Sequence, residues 1–325
     1  MDYKAITHNR FVRFVGARLI LTVITAFFVS MVVFFAIHAI PGDPALNILG
    51  TDSTPAEREA LRTVMGLDQP VINQFFIWLG HTVTGDLGYS YSQGRPVSEV
   101  IGSALSNTML LGITASVLAV MLGLLMGNLA TSRWRATRRT TDWVEAIFLS
   151  APQYTVALLL LIGFAVLLPV FPAGGLTTRG DGGPADLAAH LVLPALALAL
   201  APGAQMARSL KTSISTLQAT ELLPALRARG LSPLRIAVHA HHNALPPMVT
   251  VLGIQVGSML GGALFVENIF SIPGLGALVV QSVTLRDYQL VQAVALVIAI
   301  IFIVVLLAAD VLNALLDPRI RVGRA

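Results

Sequence analysis

The chain has 325 residues, 55% of them hydrophobic and 12% charged, with a mean hydropathy of +0.77 and a formal net charge of +4. That balance excludes a soluble globular domain of ordinary composition. The absence of cysteine excludes disulfides, thiolate metal sites and cysteine nucleophiles within the chain, and the modest positive charge reads as membrane topology rather than nucleic-acid binding.

Charge-free windows set the expected fold class. Residues 19–42, 101–132, 146–178, 187–207, 243–266 and 288–309 each supply roughly the 20 residues that a helix rising about 1.5 Å per residue needs to cross about 30 Å of hydrocarbon. The expectation is an all-α polytopic membrane protein with six transmembrane helices, the 187–207 window being the weakest because Pro194 and Pro202 interrupt it. Lys and Arg concentrate on the cytoplasmic side of such proteins. With the N-terminus inside, sixteen basic residues fall in inner segments and five (Arg58, Arg62, Arg95, Arg179 and Arg286) in outer ones. Both termini are therefore expected in the cytoplasm. The chain divides into an N-terminal segment 1–18, a membrane domain 19–310 and a tail 311–325, with an outer loop at 41–100 and an inner loop at 208–245.

The first apolar stretch is too long for a signal-peptide core and lacks a small-residue cleavage site, so it reads as an uncleaved anchor. Pro41, Gly42, Asp43 and Pro44 end it abruptly, because proline withholds a backbone donor. A short helix follows: Thr54 caps it, Pro55 takes the first helical position, Glu57 completes a capping box and Gly66 closes it. In the second span Gly112, Ala115, Ala119, Gly123 and Gly127 recur mainly at intervals of three or four, a face suited to close helix approach in lipid. Pro152, Pro194 and Pro202 predict kinks or freed carbonyls, either as hinges or as static packing features. No span interior carries a clear charge, since Glu267 and Asp310 lie near window edges, which argues against ion-coupled transport. In 267–287, Pro273, Gly274 and Gly276 break the backbone before an apolar run too short to span, read as a re-entrant or interfacial helix or as ordinary loop.

The inner loop is the most informative stretch. From Glu221, the residues Leu222, Leu223, Leu226 and Ala225 can form an apolar stripe while Arg227 and Arg229 stay available to solvent or an acidic partner. Pro224 is tolerable in a first turn. Gly230 suits the left-handed position that ends a helix, and after Leu231 come Ser232 and Pro233 as cap and first position of the next helix. Two helices meeting at a fixed corner can sit in a groove and transmit rigid-body motion; a solvated basic loop is the alternative. His239, His241 and His242 invite a metal reading, but no acidic or thiol ligand stands beside them, and polar packing is the expectation. No GxxxxGK[ST], HExxH or GxSxG motif is present. Any ATP hydrolysis must occur in another chain.

The motifs PGDPA at 41–45, GLDQP at 66–70, GDLGYS at 85–90, ARG at 228–230, HAHHNALPP at 239–247, VENIFSIPGLG at 266–276, RDY at 286–288 and DPR at 317–319 together resemble the membrane-spanning permeases of bacterial ATP-binding-cassette importers. The likeness is to the dipeptide and oligopeptide branch, which also includes nickel and glutathione importers, and it extends over nearly the whole chain. The resemblance implies a type I importer permease fold in the bacterial inner membrane. It also implies a second permease, expected as a paralogue, two cytoplasmic ATPases using ATP and Mg, and an extracytoplasmic solute-binding protein. No cofactor is expected on this chain. Ala228, Arg229 and Gly230 resemble the permease loop that meets the ATPase, with Glu221, Arg227, Leu231, Ser232, His239 and Asn243 around it. Pro41 to Pro44, Glu267, Pro273, Gly274 and Gly276 become gating candidates. Leu226 in place of a customary alanine, Pro224, and His242 where arginine is common depart from the family pattern. A non-transporting receptor or scaffold is the competing class.

Overall fold

The computed structural model describes residues 3–39, 44–50, 53–64, 66–178 and 182–316. Pro41, Gly42, Asp43 and the DPR motif at 317–319 lie outside the described residues.

The long helix α1 (Tyr3–His38) is followed by α2 (Pro44–Leu49), α3 (Pro55–Val64) and α4 (Val71–Val83), and then by a small hairpin in which β1 (Tyr89–Ser90) pairs antiparallel with β2 (Arg95–Pro96). Among the described residues that hairpin is the one departure from an all-α fold. The capping box forms: Glu57 Oε2 accepts from the Thr54 amide at 2.8 Å, and the Glu57 amide donates back to the Thr54 hydroxyl. Gly66, at φ +68, terminates this segment as its spacing predicts.

The remaining helices are α5 (Val97–Ala130), α6 (Arg135–Ser150), α7 (Gln153–Leu161), α8 (Pro184–Gln218), α9 (Leu222–Ala228), α10 (Pro233–Ile269), α11 (Leu275–Thr284) and α12 (Tyr288–Leu316), with a π-helical stretch Ile162–Leu167 continuing α7. Five helical segments are long and apolar enough to span a bilayer: Val15–His38, α5, α8, α10 and α12. The span expected over 146–178 takes a different form. Here α6 and the α7 segment meet at 104°, because Pro152 supplies no N–H and drives Ala151 into extended backbone at φ −85, ψ 121. Counted as one span, this bent pair would be the sixth, and it begins at Arg135, within what the sequence suggests is an inner loop. By contrast, Pro194 and Pro202 lie inside an unbroken α8, and Pro246 and Pro247 inside an unbroken α10.

The centre of the bundle is α8. It lies along α5 and also packs on α10, α6 and α7, while α12 packs on α1 and α10. The close α5–α8 approach follows from small side chains. Ala115, Ala119, Gly123 and Gly127 are buried, and a Cβ added at Gly123 would stand 2.6 Å from Met206 Cβ. Gly203 on α8 answers them, its own Cβ position being 2.9 Å from Leu122 Cβ. Gly112, the first residue of the predicted stripe, faces open space. Contact of this kind replaces the hydrophobic driving force that lipid removes.

Candidate functional site

Three sets of residues mark the two ends of α10. At its N-terminal end, α9 closes in a Schellman motif. The Gly230 amide donates to the Arg227 carbonyl at 2.9 Å and the Leu231 amide to the Leu226 carbonyl at 3.2 Å, with Gly230 at φ +73. Pro224 sits in the first turn of α9 and Pro233 opens α10. Ser232 occupies the cap position with extended backbone, although its hydroxyl makes no capping hydrogen bond. Of the predicted apolar stripe, Leu223 is buried and Leu226 half-buried, whereas Leu222 and Ala225 are exposed; α9 rests on α8 and α10 through one edge only.

The structure brings Glu221, Arg227, Ala228, Arg229, Gly230 and Ser232 together on this corner, all exposed, with Leu231 half-buried beside them. Arg227, Arg229 and Arg235 have no ion-pair partner among the described residues. His239 and His242 are also exposed, and Asn243 donates to the His239 carbonyl at 2.8 Å. His241 is drawn elsewhere: Nδ1 lies 2.8 Å from the Ala237 carbonyl and Nε2 lies 2.9 Å from Oδ1 of Asn128, which ties α10 to the end of α5.

Beside this corner α6 is clamped to α8. Arg208 Nε donates to Glu145 Oε1 at 2.7 Å, and Lys211 pairs with Asp142. Glu145 is only 4% exposed, and its Oε2 has no partner among the described residues. A buried carboxylate of this kind is missed when charge-free windows are counted, because the 146–178 window starts one residue after it. Its signal is the spacing of Asp142 and Glu145, three apart on one helix face, opposite Arg208 and Lys211 at the same interval.

The C-terminal end of α10 turns sharply into α11 around Glu267, whose side chain is fully buried. Its Oε1 accepts from the Thr108 hydroxyl at 2.6 Å, and Oε2 accepts from the amides of Gly276 at 2.7 Å and Ala277 at 3.1 Å. Thr108 in turn accepts the Leu275 amide at 2.7 Å. The three orphan donors that open α11 are thereby satisfied by groups from α10 and α5. Pro273 contributes its carbonyl to Asn107 Nδ2 at 2.9 Å. Gly274 and Gly276 are glycines for want of room: a Cβ at Gly274 would stand 2.3 Å from the Glu267 carboxylate, and one at Gly276 2.6 Å from Leu264 Cα. The apolar run after Pro273 is therefore a short helix docked on the bundle, and of the proposed gating residues four (Glu267, Pro273, Gly274 and Gly276) form one cluster. Pro44 opens α2, away from it in the chain.

A third buried carboxylate joins two of the motifs. Asp287 Oδ2 accepts from Ser90 Oγ at 2.7 Å and from the amide and hydroxyl of Ser92 at 3.1 and 2.7 Å, while Oδ1 caps α12 at the Leu290 amide at 3.1 Å. GDLGYS and RDY are thus two sides of one junction, which their distance in sequence conceals.

Residues 119–322 match the family of binding-protein-dependent transport system inner membrane components, and residues 11–112 match the N-terminal part of such membrane components. The chain belongs to this family. It is 38% identical over 312 residues to the glutathione transport system permease protein GsiC of Escherichia coli, covering 95% of this chain and 98% of that protein. GsiC of Shigella flexneri is 37% identical over the same shares. In fold, the chain is similar to the MetNI methionine ABC transporter in inward-facing conformations. That match has a TM-score of 0.54 and 18% identity, and covers 67% of this chain and 96% of that one. An amino acid ABC transporter crystallised with histidines gives a TM-score of 0.50 and 18% identity, covering 68% and 94%. The chain is an ABC importer permease of the peptide and glutathione group, a multi-pass inner-membrane protein and not a catalytic enzyme; in such systems ATPase activity lies in separate subunits.

Proposed function

We propose that this permease forms half of the pathway of a binding-protein-dependent importer of dipeptides or oligopeptides, and that the exposed α9–α10 corner receives the push of a partner ATPase. The observation that carries the reading is the continuity of α10. One helix of 37 residues, about 55 Å long at about 1.5 Å per residue, joins the Gly230 corner at one end to the Glu267 corner at the other. Arg227, Arg229 and Arg235, which have no ion-pair partner among the described residues, suit an acidic groove, and the Schellman geometry fixes the angle at which α9 meets α10. In this reading both termini and the corner face the cytoplasm, in keeping with sixteen basic residues against five. Two ATPase subunits use ATP and Mg, a second permease completes the pathway, and an extracytoplasmic solute-binding protein delivers the solute. Closure of the ATPase pair moves α10, and the α10–α11 corner opens or seals the outer end.

Glutathione is a second reading of the substrate, favoured by the glutathione permeases among the relatives. Both are peptide-class solutes. The test is ATP-dependent uptake into proteoliposomes holding this chain, its partner permease, the ATPases and the binding protein, supplied separately with labelled peptides, glutathione and nickel. Peptide accumulation that needs both ATP and the binding protein supports the reading. Uptake of glutathione or nickel alone, with peptides excluded, replaces the substrate, and assembly with ATP turnover but no flux of any solute overturns transport.

A further inference from the structure

We infer that a cavity where α1 meets α12 binds the head group of a zwitterionic aminophospholipid of the phosphatidylethanolamine type. The cavity has a volume of about 860 Å³. Phe34, Ile37 and His38 from the last turn of α1 line it, together with Tyr288, Gln289 and Gln292 from the start of α12. Two spans end here, so the cavity lies at the level where hydrocarbon gives way to head groups.

One side of the cavity is continuous with surface made for lipid. On α1, Phe27, Phe28, Met31 and Val32 are exposed, and on α4 Ile72, Phe76, Ile77 and Val83 are exposed. Helix α4 is pinned to α1 by Phe75, whose ring stands 5.4 Å from Phe34 and 5.9 Å from Phe27. That leaves its second apolar face unpartnered, the pattern of a helix lying in the membrane boundary. Trp78 and Tyr288 on the cavity wall are the ring types enriched at head-group depth. In this proposal α4, within the loop 41–100, lies at the membrane boundary.

The other side carries charge. Glu59, Asp68 and Asp86 line it against one arginine, Arg62. Glu59 stands 3.5 Å from Arg62 and Asp86 stands 3.1 Å from His81; Asp68 is exposed and has no ion-pair partner among the described residues. The excess of carboxylate and the aromatic wall select a cationic end group such as an ammonium. Gln292, buried in the same wall, has an amide nitrogen without an acceptor; beside Arg62 it offers a donor for phosphate or ester oxygens. An anionic phosphatidylglycerol head supplies no cation for Asp68. A soluble peptide supplies the ammonium but nothing to cover the apolar side.

The test is native mass spectrometry of the full chain, purified in detergent with its partner subunits and titrated with dioleoyl-phosphatidylethanolamine, dioleoyl-phosphatidylglycerol and alanyl-alanine. One phosphatidylethanolamine is expected to be retained per chain at about tenfold lower concentration than phosphatidylglycerol, and Asp68→Asn, an exposed change that leaves the packing intact, is expected to abolish that preference. Equal retention of both lipids, retention of the dipeptide in place of lipid, or an unchanged preference in Asp68→Asn overturns the assignment. The readout is lipid retention, so it stands apart from whether the complex transports peptides.

Discussion

Thr108 on α5 and Glu267 on α10 are joined by a hydrogen bond of 2.6 Å across 159 residues of sequence, and the start of α11 is suspended from that pair. Replacing Glu267 by alanine strands the amides of Gly276 and Ala277 and the Thr108 hydroxyl inside the protein. The expected loss is about 3 kcal/mol, since each unsatisfied buried group costs about 1–3 kcal/mol and neighbouring losses do not add fully. Thermal unfolding of the purified protein should show the drop, with Glu267→Gln, which keeps one accepting oxygen, falling between alanine and wild type.

At Gly230 space and backbone can be separated. Nothing lies within 4 Å of an added Cβ, so the requirement is conformational, set by φ +73. Gly230→Ala is expected to cost about 1 kcal/mol, and Gly230→Asn, whose side chain tolerates the left-handed region, noticeably less. For function, Gly230→Glu is expected to insert and assemble normally yet uncouple ATP turnover from uptake. Normal uptake in correctly assembled complexes would show that the corner does not receive the push.

Two glycines on one helix should respond differently to the same substitution. Gly123→Ala forces a Cβ to within 2.6 Å of Met206 Cβ, overpacking worth about 1–3 kcal/mol. Gly112→Ala enters open space and is expected to stay within about 0.5 kcal/mol of wild type. Comparing the two melting temperatures measures the α5–α8 contact while holding the chemistry of the substitution constant.

The Arg208–Glu145 pair is half-buried, Arg208 being 56% exposed in its side chain. Arg208→Met leaves a buried carboxylate without its partner, and about 2 kcal/mol of destabilisation is expected, below the 3–5 kcal/mol of a fully buried pair. The double change Arg208→Met with Glu145→Met should recover most of it, and a double-mutant cycle reads the coupling.

A pH effect follows from the capping box. The Thr54 amide, and then its hydroxyl, hold the Glu57 carboxyl below the usual carboxylate range. A depressed native value stabilises the folded helix at any pH above the unfolded carboxyl's own pKa, and that stabilisation is lost as pH falls through the native value. Amide hydrogen exchange at Glu57 should therefore be protected relative to Glu57→Gln near neutral pH, and the two should converge in acid.

How far these features can be read in sequence depends on how local their causes are. The Gly230 turn and the Thr54–Glu57 box each depend on residues within six positions, and both are legible. The stripe from Ala115 to Gly127 is legible because helical periodicity records one face, although the partner residue Gly203 is not. Pro152 reads as a kink but not as a 104° break, because composition alone does not tell a proline inside an intact α8 or α10 from one that parts two helices. The junctions at Asp287 with Ser90 and at Glu267 with Thr108 join residues nearly two hundred and more than one hundred and fifty positions apart, and no local pattern marks them. Glu145 was hidden by the edge of its own apolar window.

Pro246 and Pro247 lie within α10 and remove the two amides that would otherwise bond to the carbonyls of His242 and Asn243. A few residues further along, Asn313 of α12 donates to Thr250 at 2.8 Å. A displacement applied at the Gly230 corner first meets the tie of His241 to Asn128 on α5, then its softest point at the two prolines, and a further brace just beyond them. On the proposed coupling role the two prolines would act as a fulcrum: the arm on the Gly230 side would swing with whatever grips it and the arm toward Glu267 would tilt with α12, so that a small rotation at one end of the helix would become a sideways shift at the other.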